Sequence, residues 1–144
     1  MFYCFIVLLR TIIVTLIMPR ILIVDDEISI LKLLSYSFRK AGYDVTTACS
    51  GEQALAICDG KSFDAVLSDV TMPGIDGHQT VSRIRAAMPG VVAVLMSGFH
   101  MECTGACCVP NRHCKWLQKP FAPEVAVVAV EQSLACQPAP DIAH

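Results

Sequence analysis

The sequence predicts an α/β protein built on a doubly wound parallel sheet with helices on both faces. Three observations predict it. From Pro19 onward, short apolar runs rich in β-branched residues alternate with segments of helical periodicity, five times over. Several of the runs are continuously apolar, as strands buried on both faces require. Polar residues gather where the runs end, and open parallel sheets carry their sites outside the carboxyl ends of the strands.

Each element can be justified in order. "RILIVDD" is the first strand, and the segment from Glu27 to Ala41 follows as a helix, with Ile30, Leu31, Leu34 and Phe38 at helical spacing and Gly42 as the stop. "YDVTTA" is the second strand and "GEQALAICDG" a short helix. "FDAVLSD" is the third strand, with a helix from Gly77 to Met88. "VVAVLMSG" is the fourth strand, and "KWLQKP" with "APEVAVVAVEQSLA" supplies the fifth strand and last helix. Gly74, Asp76 and Gly77 are expected to shape a loop and cap the helix that follows it.

The 144 residues suit one domain, placed at residues 19–137 between an apolar extension, 1–18, and a short tail, 138–144. Residues 1–18 are nearly all apolar, but Arg10 lies in the middle, where a charge costs about 2.5–3.5 kcal/mol on insertion scales. They show no signal-peptide pattern and no linker before "RILIV". They read as an extension from an upstream start, with Met18 the natural beginning, rather than as an anchor, and any structure there is expected to be a loosely attached helix. A net charge of −2 and a pI near 6.0 offer no basic field for nucleic acid. Eight cysteines without a regular framework fit a reducing, cytoplasmic setting.

The polar strand ends define the candidate site. The first strand ends in Asp25 and Asp26, the third in Asp69, the fourth in Ser97 and the fifth in Lys119. One such aspartate alone would be read as a turn or cap former, but the topology converges three carboxylates, a hydroxyl and an ammonium. Clustered carboxylates repel one another unless a cation shares the site, and an all-oxygen donor set favours Mg²⁺. Such a site suits phosphoryl chemistry, with Asp69 as carboxylate nucleophile and Lys119 and Ser97 meeting the charge of the transferring oxygens. No glycine-rich phosphate loop follows the first strand, where "VDDEIS" stands, so a flavin or nucleotide protein is not expected.

The stretches "VDDE", "KAGYDVTTACSGEQAL", "SDVTMPGIDG", "LMSG" and "QKPF", in that order, closely resemble the receiver domain of two-component response regulators over residues 19–137. The resemblance implies a flavodoxin-like sheet of order 2-1-3-4-5, similar to stand-alone chemotaxis regulators. By it, Asp69 is the phosphoacceptor, Asp26 a direct Mg²⁺ ligand, Asp25 a ligand through water, and Thr71 the donor of a backbone carbonyl. Ser97 is the switch hydroxyl, Lys119 its paired lysine, and Pro120 a cis-proline position. The implied partners are a histidine kinase or phosphotransfer protein, and a downstream protein that the sequence does not name. Self-phosphotransfer and slow autodephosphorylation would be the only catalysis.

Three departures stand out. Trp116 occupies the place of the family's rotating Tyr or Phe switch. Residues 99–114, "FHMECTGACCVPNRHC", include zinc-type ligands at Cys103, Cys107, Cys108, His113 and Cys114, but no C-x₂-C pair, and are read as ordinary thiols rather than a metal site. The resemblance implies that polar side chains two residues after the phosphoacceptor and two after the switch hydroxyl orient the attacking water; here Thr71 and Phe99 stand there, neither with an amide or carboxylate, and Phe99 could shield the phosphoryl group. A long-lived phosphorylated form is therefore expected. The tail "QPAPDIAH" is too short for an effector, so signalling is expected through docking to a partner, with the apolar last helix as a candidate face for a partner or a homodimer. The competing reading is a receiver-like interaction scaffold that is never phosphorylated.

Overall fold

The computed structural model describes residues 2–16, 18–99 and 114–136, of which residues 10–16 by backbone alone. Five strands, β1 (Arg20–Val24), β2 (Asp44–Ala48), β3 (Ala65–Asp69), β4 (Val92–Ser97) and β5 (Lys115–Gln118), form one sheet of order β2-β1-β3-β4-β5. All four pairings are parallel. The helices are α1 (Phe2–Leu16), α2 (Ile28–Lys40), α3 (Gly51–Cys58), α4 (Gly77–Ala87) and α5 (Pro123–Ala135). The expected doubly wound sheet is therefore present, and each expected strand and helix lies within a residue or two of its anticipated bounds. The Cys-rich stretch at Cys103, Cys107, Cys108 and His113, and the short tail, fall outside the described residues.

The period of two in a strand explains why β1 is apolar throughout. Ile21 and Ile23 face a core closed by Leu31, Leu34 and Phe38 of α2 and by Ala126 and Val130 of α5. Leu22 and Val24 face the opposite core, closed by Ala54 of α3 and by Val81 and Ile84 of α4. With both faces covered, the sheet leaves only the strand ends open to polar chemistry. α2 stops where Gly42 takes φ +96°, a conformation that costs glycine little. The T-shaped contact of Phe38 with Tyr43, at 5.1 Å between centroids, packs the turn against the helix it ends.

The described side chains of α1 are exposed, and among the described residues α1 packs against no other element. No helix among the described residues is long and apolar enough to cross a membrane.

The segment from Asp69 to α4 is fixed by local rules. Asp76 caps α4 by accepting the Gln79 N–H at 2.8 Å, and Gln79 Oε1 accepts the Asp76 N–H at 3.2 Å, a reciprocal capping box. The first helical residue, Gly77, donates its N–H to the Val70 carbonyl at 2.9 Å. A Cβ there would overlap the Asp69 carbonyl oxygen and stand 2.9 Å from Val70 Cα. Gly77 thus lets α4 start directly against the end of β3. Replacing a glycine with alanine at a helix start ordinarily does no harm, so the sign of the effect is diagnostic. Gly77→Ala is expected to destabilise the protein by about 1–3 kcal/mol through backbone overlap, measured by urea unfolding. Unchanged or increased stability would contradict the close approach.

Candidate acidic site at the strand ends

Parallel strands end at the same edge, so the residues that end or directly follow β1, β3, β4 and β5 meet there. Asp25 is fully buried. Its N–H donates to the Ala48 carbonyl at 3.2 Å, carrying the β1–β2 ladder one residue further. Its Oδ1 accepts the Glu27 N–H at 2.9 Å, a local turn that opens α2. Its Oδ2 accepts from Lys119 Nζ at 3.1 Å. Asp26 is exposed, yet one oxygen each of Asp25, Asp26 and Asp69 lie within 4.8 Å of one another.

Lys119 is the counter-charge. Its Nζ is 3.1 Å from Asp25 and 3.4 Å from Asp69 Oδ2, so a single ammonium bridges two carboxylates. Burial alone would lower the Lys119 pKa, but the Asp25 carboxylate, with Asp69 behind it, more than offsets this and holds it above its ordinary value. Asp69 ends β3 with 7% exposure. Burial pushes its carboxyl up and the Asp25 charge adds to this, while Lys119 and a hydrogen bond from the Thr71 backbone pull it down; the net is an upward shift. One lysine does not neutralise the pocket.

The remaining expected residues are placed as follows. Ser97 is buried and follows Met96, the β4 residue that pairs with Asp69. Its Oγ accepts the Phe99 N–H at 3.1 Å and is not hydrogen-bonded to Asp69. The Ser97 carbonyl accepts the Lys119 N–H at 2.7 Å, which seats the lysine at this edge. Thr71 is exposed. The Lys119–Pro120 peptide is cis, as the resemblance implied. The Phe99 ring is 71% exposed, so the shield anticipated over Asp69 gains no support from its position. Trp116 is half-buried, its indole N–H has no hydrogen-bond acceptor among the described residues, and its ring lies 5.3 Å from that of His78 at the start of α4. Cys114 of the Cys-rich stretch is buried, with Arg85 Nη1 at 3.4 Å from its sulfur.

Sequence reasoning missed Glu52. The sequence places it only within a helix, yet its Oε1 accepts the Ile75 N–H at 3.0 Å and so ties α3 to the loop leading from Asp69 to α4. The available signal was Gly74, whose φ of +82° bends the backbone under that carboxylate.

An acidic cluster with all-oxygen donors, one of them pushed up by burial and by its neighbour's charge, fits a hard divalent cation. The donor set includes neither thiolate nor imidazole.

Residues 21–131 match the family model of the response regulator receiver domain. The transcriptional regulatory protein ZraR of Salmonella typhimurium is 35% identical over 115 residues, which cover 80% of this chain and 26% of that protein. The chain spans about a quarter of the length of the curated relatives it matches. The chemotaxis response regulator CheY4 of Vibrio cholerae is 30% identical, with a TM-score of 0.72, over 81% of this chain and 99% of that one. The response regulator TrrA of Thermotoga maritima, in complex with Mg²⁺–BeF, is 29% identical with a TM-score of 0.70, over 80% and 98% of the two chains. With its sheet order, its strand-end carboxylates and this match in agreement, the chain belongs to the receiver domain family of response regulators.

Proposed function

We propose that this chain is a phosphorylation-driven switch of a two-component system, taking a phosphoryl group from a histidine kinase or phosphotransfer protein onto Asp69. The observation that carries the reading is the ammonium of Lys119 set between Asp25 and Asp69 inside an otherwise acidic pocket. A pocket built for stability alone would not cluster three carboxylates with one lysine bridging two of them.

Asp69 supplies the attacking oxygen. A C–O–P bond forms as the donor's P–N bond, or P–O bond for acetyl phosphate, breaks, and the leaving group departs with the electron pair. Lys119 Nζ, held protonated by its two carboxylates, meets the charge on the phosphoryl oxygens, and the Ser97 hydroxyl is the nearby neutral donor once it leaves the Phe99 amide. Mg²⁺, held by Asp25, Asp26, Asp69 and the Thr71 backbone carbonyl, would supply the positive charge that one lysine cannot. That TrrA, of the same fold, is in complex with Mg²⁺–BeF supports the choice of ion. Trp116, packed on His78, is the candidate for the aromatic that responds to Ser97.

Incubation with acetyl phosphate and Mg²⁺, followed by intact mass measurement, is expected to add one phosphoryl group per chain. Chelation or Asp69→Asn should abolish the addition. A full mass shift in Asp69→Asn, or none in the wild-type chain, would overturn the reading in favour of an unphosphorylated scaffold.

Loss of the phosphoryl group is expected to be slow. Thr71 and the exposed Phe99 provide no amide or carboxylate to orient water. A well-placed acid–base group contributes about 10²–10⁴-fold, so an approximate graft should yield roughly tenfold. Thr71→Asn and Phe99→Glu are each expected to accelerate phosphate release by that factor. A wild-type chain that loses phosphate within seconds and is unaffected by either substitution would contradict the expectation.

A further inference from the structure

The seven residues between Asp69 and Gly77 form the loop on which the acidic site depends, since they include Thr71. The loop is anchored at its ends. Val70 donates its N–H to the Met96 carbonyl at 2.9 Å, and Gly77 closes back onto Val70. Asp76 is held by its capping box with Gln79. Near the apex, among the described residues, the hydrogen bond from another helix is that of Glu52, whose Oε1 accepts the Ile75 N–H at 3.0 Å.

The contact is built rather than incidental. Ser50 caps α3 by accepting the Gln53 N–H at 3.0 Å. Gln53 Oε1 accepts the Cys49 N–H at 2.7 Å, so the first turn of α3 is fixed and the Glu52 stem starts from a set position. Gly51 sits so close to Ile75 and to the Thr80 side chain of α4 that an added Cβ would overlap both. Gly74, at φ +82°, leaves vacant the space where a Cβ would meet the Glu52 carboxylate. Two glycines thus let α3 and the loop approach, and one carboxylate joins them. Glu52 itself is exposed, so core packing does not account for its position.

We propose that Glu52 is a positioning residue for the acidic site: by holding the Ile75 amide, it fixes the loop that carries the Thr71 carbonyl and so sets the affinity of the site for Mg²⁺. This rests on the reading of the pocket as a Mg²⁺-dependent phosphoacceptor. Glu52 touches neither the metal position nor the reacting atoms, and acts only through the loop. Loss of the hydrogen bond lets the loop apex sample other positions, so more metal is needed to order it, while the chemistry at saturating metal is unchanged. A glutamine at this position retains a carbonyl acceptor for the amide and removes only the charge.

The test compares wild type, Glu52→Ala and Glu52→Gln. Binding is read by electron paramagnetic resonance of free Mn²⁺ with Mg²⁺ as competitor, alongside the rate of phosphorylation by acetyl phosphate across a Mg²⁺ series and the metal-free thermal midpoint. Glu52→Ala is expected to raise the half-saturating Mg²⁺ concentration severalfold while reaching the wild-type maximal rate, with Glu52→Gln close to wild type in both. Three results would overturn the proposal. Unchanged Mg²⁺ affinity in Glu52→Ala, with or without a lower thermal midpoint, makes the contact structural only. A Glu52→Gln variant as weak as Glu52→Ala makes the effect one of charge. A wild-type chain that binds no divalent cation removes this inference together with the proposed function, whereas the first two results leave that function standing.

Discussion

Mutual repulsion of carboxylates brought together at the ends of parallel strands is the constraint on which the rest of this structure depends. Asp25 is fully buried and Asp69 nearly so, in surroundings where like charges a few ångströms apart interact far more strongly than in water. Lys119 bridges them at 3.1 and 3.4 Å, yet burial, with the Asp25 charge adding to it, still holds the Asp69 carboxyl above its ordinary value. A site in this condition favours whatever brings positive charge to it. It also resists collapse only because the elements that bear the carboxylates cannot yield.

That rigidity comes from apolar burial away from the site. β1 and β3 are covered on both faces, by α2 and α5 on one side and α3 and α4 on the other, so the strands deliver Asp25 and Asp69 to fixed positions. Close-packed interiors transmit strain rather than absorb it. Gly77 brings α4 directly against the end of β3, and Glu52 ties the intervening loop to α3. Elsewhere at this end of the sheet, the Ser97 hydroxyl accepts from the amide of its own loop and Trp116 rests against His78.

Much of this was legible in the sequence because it depends on local pattern. Continuous apolar runs, helical spacing and strand-end aspartates each involve neighbouring residues, and parallel topology then forces the strand ends together. Asp25, Asp26, Asp69 and Lys119 converge as their places in the strand order require. What the sequence did not reveal depends on packing between helices. The Glu52–Ile75 contact joins residues 23 apart through the seating of α3 on α4, and no periodicity encodes it. The His78–Trp116 pair likewise needs α4 and β5 to be placed first. The place of Phe99 two residues after Ser97 left open whether its ring could shield the pocket, because chain distance does not fix a side chain's direction; the ring is largely exposed.

The measurement that tests the charge imbalance most directly is the stability of the metal-free chain against pH, for wild type and Asp69→Asn. Burial and Asp25 raise the folded-state pKa of Asp69 above its unfolded value. The stability this group contributes is therefore fully present below the unfolded value and lost as pH rises through the folded one. By urea unfolding, Asp69→Asn is expected to be more stable than wild type near neutral pH, with the gap closing in acid as Asp69 becomes protonated. Saturating Mg²⁺ should stabilise wild type more than the variant. A variant less stable than wild type at neutral pH, or a difference that does not change with pH, would show that Lys119 already offsets both burial and carboxylate repulsion at Asp69, and would contradict the central role assigned to that repulsion.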